Sequence, residues 1–404
     1  MHLYRASERL SIKQYKMASL LISKYNALAS HLIHLIVNLR QVIIRTDYLK
    51  NMAYHVWTLY KTALIHSFRL LKKFETLMSN IQIKHISWDL NKSFTISRGS
   101  KTTAETIEVK IESNNFYGYG ECVPYKRYDE TIDSVTSEIY KLKPDIEEGN
   151  INLTNLDSFL KNGAARNAID CAMWDLECKM KNTSIWKLMG VTKPTTLPGS
   201  YTVVLDEPEK MIEDVSNHQE FPTLKLKVNK NNLHEILTKT RELSPNKVII
   251  VDANEAFNID DLKSNADLFV KTKIDLIEQP LLSENDNELK GLNFPISICA
   301  DESFHDSSDL AKMAHKYNTI NIKLDKTGGL SEAVKIVKEA KKLDLNIMLG
   351  CMVSSSLSML PLLPLYEHAD FIDLDGPCFI ANDRKNGLIY ENGMMLVKED
   401  LCWG

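Results

Sequence analysis

Val248-Ile-Ile-Val-Asp252 is an apolar run that ends in a carboxylate, and two later runs do the same, Ile274-Asp-Leu-Ile-Glu278 and Ile296-Ser-Ile-Cys-Ala-Asp301. Each run has the length and the β-branched content of a buried strand. Just upstream, Leu224-Lys225-Leu226-Lys227-Val228 alternates apolar and cationic residues, so both lysines face the same side of one strand. Downstream, Ile320-Asn-Ile-Lys323 ends another strand in lysine. This stretch predicts successive strands with charged groups at their carboxyl ends.

Comparable strand ends recur along the chain. One marker per predicted strand end gives Thr202, Lys227, Asp252, Glu278, Asp301, Lys323, Cys351 and Asp373. The markers lie roughly 25 residues apart, which is the length that a short strand, a helix and two loops fill. The repeat predicts an α/β fold of the (β/α)₈ barrel type, in which functional groups gather at the carboxyl ends of the strands. A doubly wound open sheet is the alternative, but the sequence shows no glycine-rich phosphate-binding turn after a first strand.

The composition is that of a globular protein. The 404 residues allow two or three domains, and 44% hydrophobic and 25% charged residues are ordinary proportions. The net charge of −4 gives no argument for nucleic-acid binding. All seven cysteines lie beyond residue 121 and include no C-x-x-C pair. This usage favours reduced thiols and a cytoplasmic protein.

Residues 1–77 differ from the remainder. They contain 12 Lys/Arg against 3 Asp/Glu, and no Gly or Pro. We expect a helical N-terminal extension there. Two alternatives stay open, a membrane-surface amphipathic segment and upstream sequence that precedes a working start at Met78. The longest uncharged run, Tyr25–Leu39, is too short and too polar to predict a transmembrane helix.

From residue 78 the pattern indicates a compact α+β module. The predicted strands are Ile81–Leu90, Ser93–Ile96 and Glu105–Ile111, and the predicted helices are Asp129–Lys141 and Ala164–Met180. Gly118-Tyr-Gly120 is a weak glycine motif, and no predicted helix begins after it to hold a phosphate. We therefore reject a nucleotide site in this module.

The predicted barrel mouth contains an oxygen-only set of possible metal ligands. Asp252, Glu278 and Asp301 end adjacent strands, with no His or Cys among them. Such a set suits Mg²⁺ and disfavours zinc. A divalent ion held there could bind a substrate carboxylate and stabilise the enolate that forms when the adjacent proton is removed.

The lysines of the mouth could move that proton. A lysine beside another cation has its pKa lowered, and desolvation lowers it further, which suits Lys227 with Lys225 two residues before it. Lys323 ends the sixth strand, across the barrel from the second. Two lysines on opposite sides of one α-carbon could take a proton from one face and return it to the other, as a racemase or epimerase does.

The motifs resemble those of the enolase superfamily, muconate-lactonizing subgroup. They are Lys225-x-Lys227, Asp252-Ala-Asn, Glu278-Gln-Pro, Ala300-Asp301-Glu-Ser, Lys323-x-x-Lys-x-Gly-Gly and, in the preceding module, Ala165–Leu176. The resemblance implies a (β/α)₇β modified TIM barrel with an α+β capping domain formed by the N-terminal region and the C-terminal tail. It also implies one Mg²⁺ per subunit on the three carboxylates, acid–base catalysis by Lys227 and Lys323, and a substrate-carboxylate contact from Lys225.

The eighth predicted strand resembles that of the dipeptide epimerases. Asp373-Leu-Asp375 matches an Asp-x-Asp that binds the substrate amine in that group. The resemblance implies an isomerase acting on dipeptides such as L-Ala-D/L-Glu in peptidoglycan recycling. It places further substrate contacts at Thr202, Cys351, Met352 and Val353. We also hypothesise that Arg98 pairs with the side-chain carboxylate of a C-terminal glutamate.

These expectations define the domains, the partners and the rival functions. We predict a capping domain at 78–195, a barrel at 196–376 and a segment at 377–404 that returns to the cap. The expected partners are a dipeptide substrate and further copies of the chain, with no nucleic acid and no membrane for the core domains. The rival functions are N-acylamino-acid racemisation, o-succinylbenzoate synthesis, cycloisomerisation and non-catalytic binding.

Overall fold

The computed structural model describes Thr58, residues 79–231 and residues 233–404. The predicted extension, apart from Thr58, and the predicted start at Met78 lie outside the described residues. The unit Thr76–Gly404 is compact, and its described part contains a cap and a barrel. Within the described residues, no helix has the length and hydropathy needed to cross a membrane.

The cap is an antiparallel sheet packed against helices. Its strands run in the order β1 (Asn80–Ile96), β2 (Gly99–Ser113) and β3 (Phe116–Cys122). Its helices are α1 (Ile132–Glu147), α2 (Ala164–Met180) and α3 (Ile185–Met189). The predicted bounds of α2 are confirmed.

Two predicted boundaries in the cap are wrong for local reasons. The strands expected at Ile81–Leu90 and Ser93–Ile96 are one strand, because a shift in the β1–β2 register between Asp89 and Phe94 absorbs the extra residues. Helix α1 does not start at Asp129. Thr131 is its N-cap, and the Thr131 hydroxyl accepts a hydrogen bond of 3.0 Å from Ser134 N.

The glycines of β3 let this strand lie directly against α2. A Cβ at Gly118 would lie 2.0 Å from the carbonyl oxygen of Ala172, and one at Gly120 would lie 2.1 Å from that of Ala168. No side chain fits at either position. The Gly118-Tyr-Gly120 motif therefore allows close packing of β3 against α2 and is not a phosphate-binding loop.

Parallel strands form the barrel wall after β4 (Thr196–Pro198), a short strand of another sheet. The wall strands are β5 (Ser200–Val203), β6 (Thr223–Lys227), β7 (Val248–Asp252), β8 (Leu276–Glu278), β9 (Ser297–Ala300), β10 (Thr319–Ile322), β11 (Asn346–Gly350) and β12 (Phe371–Asp373). Hydrogen-bonded neighbours follow chain order from β5 to β12. A hydrogen bond of 3.0 Å from Ser200 Oγ to Asp373 Oδ1 links the first strand to the last. The predicted barrel is confirmed.

The connections between these strands are more varied than the regular spacing predicts. The helices are α4 (Pro208–Asn217), α5 (Leu233–Leu243), α6 (Ile259–Ser264), α7 (Ala266–Lys271), α8 (Leu310–Met313), α9 (Leu324–Thr327), α10 (Leu330–Lys342) and α11 (Ser356–Met359). Only a 3₁₀ turn, Asp286–Leu289, lies between β8 and β9. In the described residues β12 is followed by the 3₁₀ turn Gly376–Phe379 and by no regular barrel helix. This is the (β/α)₇β arrangement.

The barrel interior explains why the strand-end acids converge. Ile250, Leu276 and Cys299, with Met348, form a small buried apolar cluster. Each of the first three lies two residues before one of the carboxylates Asp252, Glu278 and Asp301. Residues two apart on a strand point to the same side, so these carboxylates face the barrel interior like the cluster. Because they stand at the carboxyl ends of the strands, they lie at the barrel mouth.

The C-terminal segment completes the cap. Its strands β13 (Ile389–Glu391) and β14 (Met394–Leu396) form a sheet with β4. Ala381 N donates a hydrogen bond of 2.8 Å to the carbonyl of Asp89 in β1. Trp403 Nε1 donates one of 3.0 Å to the carbonyl of Cys171 in α2. These hydrogen bonds join the tail to a strand and a helix of the cap.

Candidate active site

A cavity of about 750 Å³ lies between the cap and the carboxyl ends of the barrel strands. Its volume is in the range of small-molecule sites. Most of the residues selected from the sequence line it, namely Arg98, Thr202, Lys225, Lys227, Asp301, Lys323, Cys351, Met352, Val353, Asp373 and Asp375. The other two, Asp252 and Glu278, are fully buried and contact its lining lysines.

Lys225 joins the carboxylates at the centre of the site. Its Nζ lies 3.1 Å from Asp252 Oδ2, 2.6 Å from Glu278 Oε2 and 2.8 Å from Asp373 Oδ2. Burial lowers the pKa of this lysine, but the three negative charges raise it more, and the net pKa is well above the ordinary value. Lys225 is therefore a fixed cation.

The three carboxylates differ in their ionisation. Burial raises the pKa of Asp252, but Lys227 and Lys225 lower it more, so the net shift is downward. Burial and the charge of Asp252 raise the pKa of Glu278 to about 8. Asp301 is held ionised, because Lys323 and Lys326 lower its pKa well below the ordinary range despite burial. Glu278 therefore ionises at a higher pH than Asp252 and Asp301.

Lys227 and Lys323 lie on either side of this cluster. Lys227 ends β6 and its Nζ contacts Asp252 Oδ2 at 2.5 Å, whereas Lys323 follows β10 and its Nζ contacts Asp301 Oδ2 at 2.6 Å. The strands β7, β8 and β9 that carry the carboxylates stand between them. Burial lowers the pKa of Lys323, but Asp301 and Glu278 raise it more, so the pKa stands well above the ordinary value.

The carboxylates fit a hard divalent cation by donor chemistry. Among the described residues, no three His, Cys, Asp or Glu side chains converge at metal-binding geometry. Lys225 Nζ contacts two of the predicted ligands, Asp252 and Glu278. Glu278 Oε2 is nonetheless buried without a hydrogen bond, although Lys225 Nζ is close to it. The donor set is all oxygen, which is the ligand chemistry that Mg²⁺ prefers.

The last strand supplies a second acidic pair. Asp373 is held by Lys225 and by the Ser200 hydroxyl. Burial and the charge of Asp373 raise the pKa of Asp375 to about 7, and Thr202 hydrogen-bonds to it through side chain and backbone. Asp375 Oδ2 has no hydrogen-bond partner. An ammonium group entering the cavity would satisfy this oxygen.

Arg98 lines the cavity but already has carboxylate partners. Its Nη1 lies 3.1 Å from Glu255 Oε2 and its Nη2 lies 2.6 Å from Glu302 Oε1. Its pairing with a substrate carboxylate stays a prediction. Lys101, three residues further on, also lines the cavity. Sequence reasoning missed this second cation.

Sequence reasoning also missed residues that orient the carboxylates. Asn321 Nδ2 donates a hydrogen bond of 2.8 Å to Glu278 Oε1. Lys326 Nζ donates one of 2.6 Å to Asp301 Oδ1, and Gln279 Oε1 accepts one of 2.9 Å from Asp301 N. A signal existed for each. Gln279 and Lys326 stand inside the quoted motifs, and Asn321 lies two residues before Lys323, on the same face of β10.

Two family models match successive parts of the chain. The family described as Mandelate racemase / muconate lactonizing enzyme, N-terminal domain, matches residues 78–190, and the Enolase C-terminal domain-like family matches residues 209–401. The chain belongs to the enolase superfamily.

Two curated relatives cover most of the chain within this superfamily. The L-Ala-D/L-Glu epimerase of Escherichia coli (strain K12) is 36% identical over 318 residues, or 78% of this chain and 99% of that protein. The N-acetyl-D-glutamate racemase of Pseudoalteromonas sp. is 40% identical over 299 residues, or 74% of this chain and 95% of that protein. Both relatives are isomerases. The chain is an enzyme of that class.

Solved members of the enolase superfamily share the fold. A member from Agrobacterium tumefaciens with homology to dipeptide epimerases, solved with sodium and L-Ala-L-Glu, superposes with a TM-score of 0.78 at 39% identity, covering 81% of this chain and 100% of that chain. A dipeptide epimerase from Enterococcus faecalis V583, complexed with Mg and L-Leu-L-Tyr, gives a TM-score of 0.74 at 25% identity, covering 79% and 97%.

Proposed function

We propose that this enzyme epimerises dipeptides by removing and returning the α-proton of the C-terminal residue. The observation that carries the proposal is the placement of Lys227 and Lys323 on opposite sides of the buried carboxylates, with Asp373 and Asp375 on the last strand. A one-base enzyme would not need the second lysine. The lysine pair supports proton transfer on two faces of one carbon.

Asp252, Glu278 and Asp301 are the residues that would hold Mg²⁺. The ion would supply positive charge beside the substrate carboxylate and would balance the negative charge that raises the pKa of Lys225 and Lys323. Lys225, which lies on the same face of β6 as Lys227 and lines the cavity, would hold the substrate carboxylate by an ion pair. Lys227 and Lys323 would then exchange the α-proton, one acting as base and the other as acid.

The ends of the substrate find matching groups in the cavity wall. Asp375 Oδ2, buried without a partner, would accept the N-terminal ammonium of a dipeptide. A substrate side-chain carboxylate would meet Lys101 or Arg98 on the cap side. The combination favours L-Ala-D/L-Glu and related acidic dipeptides. We propose peptidoglycan recycling in the cytoplasm as the setting, with a homo-oligomer as the working assembly.

N-acetylglutamate racemisation is the second candidate, because the Pseudoalteromonas relative with that name is 40% identical. This substrate has a carboxylate side chain but no ammonium group. Asp375 would therefore lack a cationic partner. Asp375→Asn separates the two candidates, since the substitution removes the charge that only a dipeptide needs.

The test is epimerisation of L-Ala-L-Glu and of N-acetyl-L-glutamate by parent and Asp375→Asn, with α-proton exchange in D₂O as a second measurement. We expect the parent to favour the dipeptide and the variant to lose about tenfold or more in kcat/KM on the dipeptide alone. A parent that racemises only N-acetylglutamate would establish the second candidate. Absence of exchange with both substrates would overturn both.

A further inference from the structure

Two arginines from different cap loops bind one carboxylate of the barrel. Arg98, in the turn between β1 and β2, donates 3.1 Å to Glu255 Oε2. Arg127, in the loop after β3, donates 3.0 Å to Glu255 Oε1 through Nη2 and 3.3 Å to Oε2 through Nε. The side chain of Glu255 is 4% exposed, while those of the arginines are 29% and 34% exposed. Charged pairs at this depth are stronger than surface pairs.

The same contacts extend to the predicted metal ligands. Arg98 also donates 3.1 Å to the carbonyl of Asn254 and 2.6 Å to Glu302 Oε1. Asn254 N donates 2.9 Å to Asp252 Oδ1, and Glu302 is the next residue after Asp301. Arg98 therefore contacts a residue that hydrogen-bonds to Asp252 and the residue that follows Asp301 in the sequence.

The backbone at Glu255 is held in a conformation that needs support. Asn254 has φ 43° and Glu255 has φ 68°. Asparagine tolerates this left-handed region, but for glutamate it costs about 1 kcal/mol. Ser283 N donates a hydrogen bond of 2.9 Å to Glu255 Oε1. Glu255 N donates one of 2.9 Å to the carbonyl of Gln279. The side-chain and backbone contacts together fix the loop after β7.

The cap has a second, more deeply buried attachment elsewhere. Along α2, Asn167 Nδ2 donates 2.9 Å to Asp325 Oδ1, and Asp170 Oδ2 accepts 2.9 Å from Ser331 N. Asn167 and Asp170 are each 1% exposed. These contacts of α2 are more deeply buried than the arginine contacts, whose side chains are partly exposed to water. The cap is thus joined to the barrel at two places, by the buried contacts of α2 and by the more exposed arginine contacts with Glu255.

We propose that Glu255 is a positioning residue, one that fastens both cap loops over the mouth and couples their closure to Asp252 and Asp301 through Asn254 and Arg98. On this assignment Arg98 acts on the site through Glu255 and Glu302. Only the kinetic part of its test rests on the proposed function, because the fastening itself is a property of the free protein.

The test is amide hydrogen exchange of the full chain in parent, Glu255→Gln and a matched control, Glu284→Gln. Glu284 Oε2 lies 3.8 Å from the same Arg127 Nη2 but its side chain is 66% exposed. We expect Glu255→Gln to speed exchange in both loops, 96–100 and 125–128, by about tenfold, since a charged hydrogen bond of this kind is lost. We expect Glu284→Gln to match the parent.

Kinetics then show whether the fastening positions the site. We expect Glu255→Gln to raise KM for L-Ala-L-Glu by about tenfold with a smaller change in kcat, because the loops must be ordered on binding. Should Glu255→Gln fail to fold, Arg98→Lys, which keeps the charge but cannot contact Glu255 and Glu302 together, should speed exchange in loop 96–100 by about tenfold. Parent-like exchange in both loops of a folded variant would overturn the proposal. If Glu255→Gln speeds exchange but the parent does not epimerise dipeptides, the positioning proposal stands and only the proposed function is overturned.

Discussion

Lys225 and Lys227 share one face of β6 but have different surroundings. Lys225 Nζ lies within 3.1 Å of three carboxylates, and its pKa is raised well above the ordinary value despite burial. Lys227 Nζ forms its short contact with Asp252 Oδ2 at 2.5 Å. The difference in neighbours suits the first lysine to binding charge and the second to exchanging a proton.

The two proposed acid–base lysines should be separable by the face that each serves. We expect Lys227→Ala and Lys323→Ala each to slow epimerisation of L-Ala-L-Glu by about 10³-fold. Each variant should still exchange the α-proton of one epimer with solvent, because the remaining lysine reaches one face. Proton NMR in D₂O with L-Ala-L-Glu and L-Ala-D-Glu supplied separately measures this.

Lys210→Ala, at an exposed position in α4, is the control and should retain parent rates. Loss of exchange with both epimers in both variants would contradict the assignment of one lysine to each face.

Among the elements, α2 does the most to position the site. It packs on the sheet of the cap through Ala168 and Ala172, and it contacts the barrel through Asn167 and Asp170. Asp325, which accepts from Asn167, lies in α9 two residues after Lys323. The helix therefore ties the cap to the loop that carries a proposed catalytic lysine.

Asp325 makes this attachment sensitive to pH. Burial raises its pKa to about 7, although hydrogen bonds from Val123 N and Asn167 oppose the shift. In the unfolded chain the carboxyl ionises near pH 4. As the pH rises from about 4 to 7, the unfolded state loses this proton first, so folding loses on the order of 1 kcal/mol per pH unit from this group. Below about pH 4 the carboxyl is protonated in both states, so this loss of stability is absent.

Asp325→Asn should remove this pH dependence, because the amide oxygen can still accept from Val123 N and Asn167 Nδ2. Urea unfolding at pH 5, 6 and 7 measures it, and the stability of the variant relative to the parent should increase with pH. Asp344→Asn, at an exposed position, should give a constant difference. A constant difference for Asp325→Asn as well would contradict the buried neutral carboxyl.

The elements also show what sequence can and cannot predict. Strand ends and the inward direction of Asp252 follow from the period of two within single strands, so they were predictable. The start of α1 was predicted at Asp129, but the helix begins at Ile132, where the Thr131 side chain caps it. The partners of Arg98 were not predictable, since Glu255 and Glu302 lie more than 150 residues away and no local pattern links them. The conformation at Glu255 likewise results from contacts that the sequence does not display.

For the molecule as a whole, the carboxylate cluster should link metal binding to stability. A ligand that binds only the folded state stabilises it by about 2.7 kcal/mol at 100 times its Kd. We expect Mg²⁺ to raise the unfolding midpoint of the parent and EDTA to reverse the rise and abolish epimerisation. Glu278→Gln should lose the Mg²⁺-dependent rise. A rise of equal size in that variant would contradict the proposed site.

The tail contributes to stability far from the barrel mouth. Trp403 is 5% exposed and donates a hydrogen bond to the Cys171 carbonyl. We expect Trp403→Ala to cost about 3 kcal/mol of unfolding free energy, as loss of a buried tryptophan does. Denaturant unfolding measures it, with Lys398→Ala on the exposed surface of the tail as control. Equal values for the two variants would contradict a structural role for the tail.

Arg384 gives the tail one more consequence. Its Nη2 contacts Glu121 of β3 at 2.5 Å, and its Nε donates 2.6 Å to the hydroxyl of Ser355, in the loop that follows the cavity residues Cys351, Met352 and Val353. A chimera made by a single crossover near Pro198 would combine the cap of one relative with the tail of another. The contacts that Arg384 makes with the cap would then have no matching partner. Grafts of specificity between such enzymes need two junctions, one on each side of the barrel.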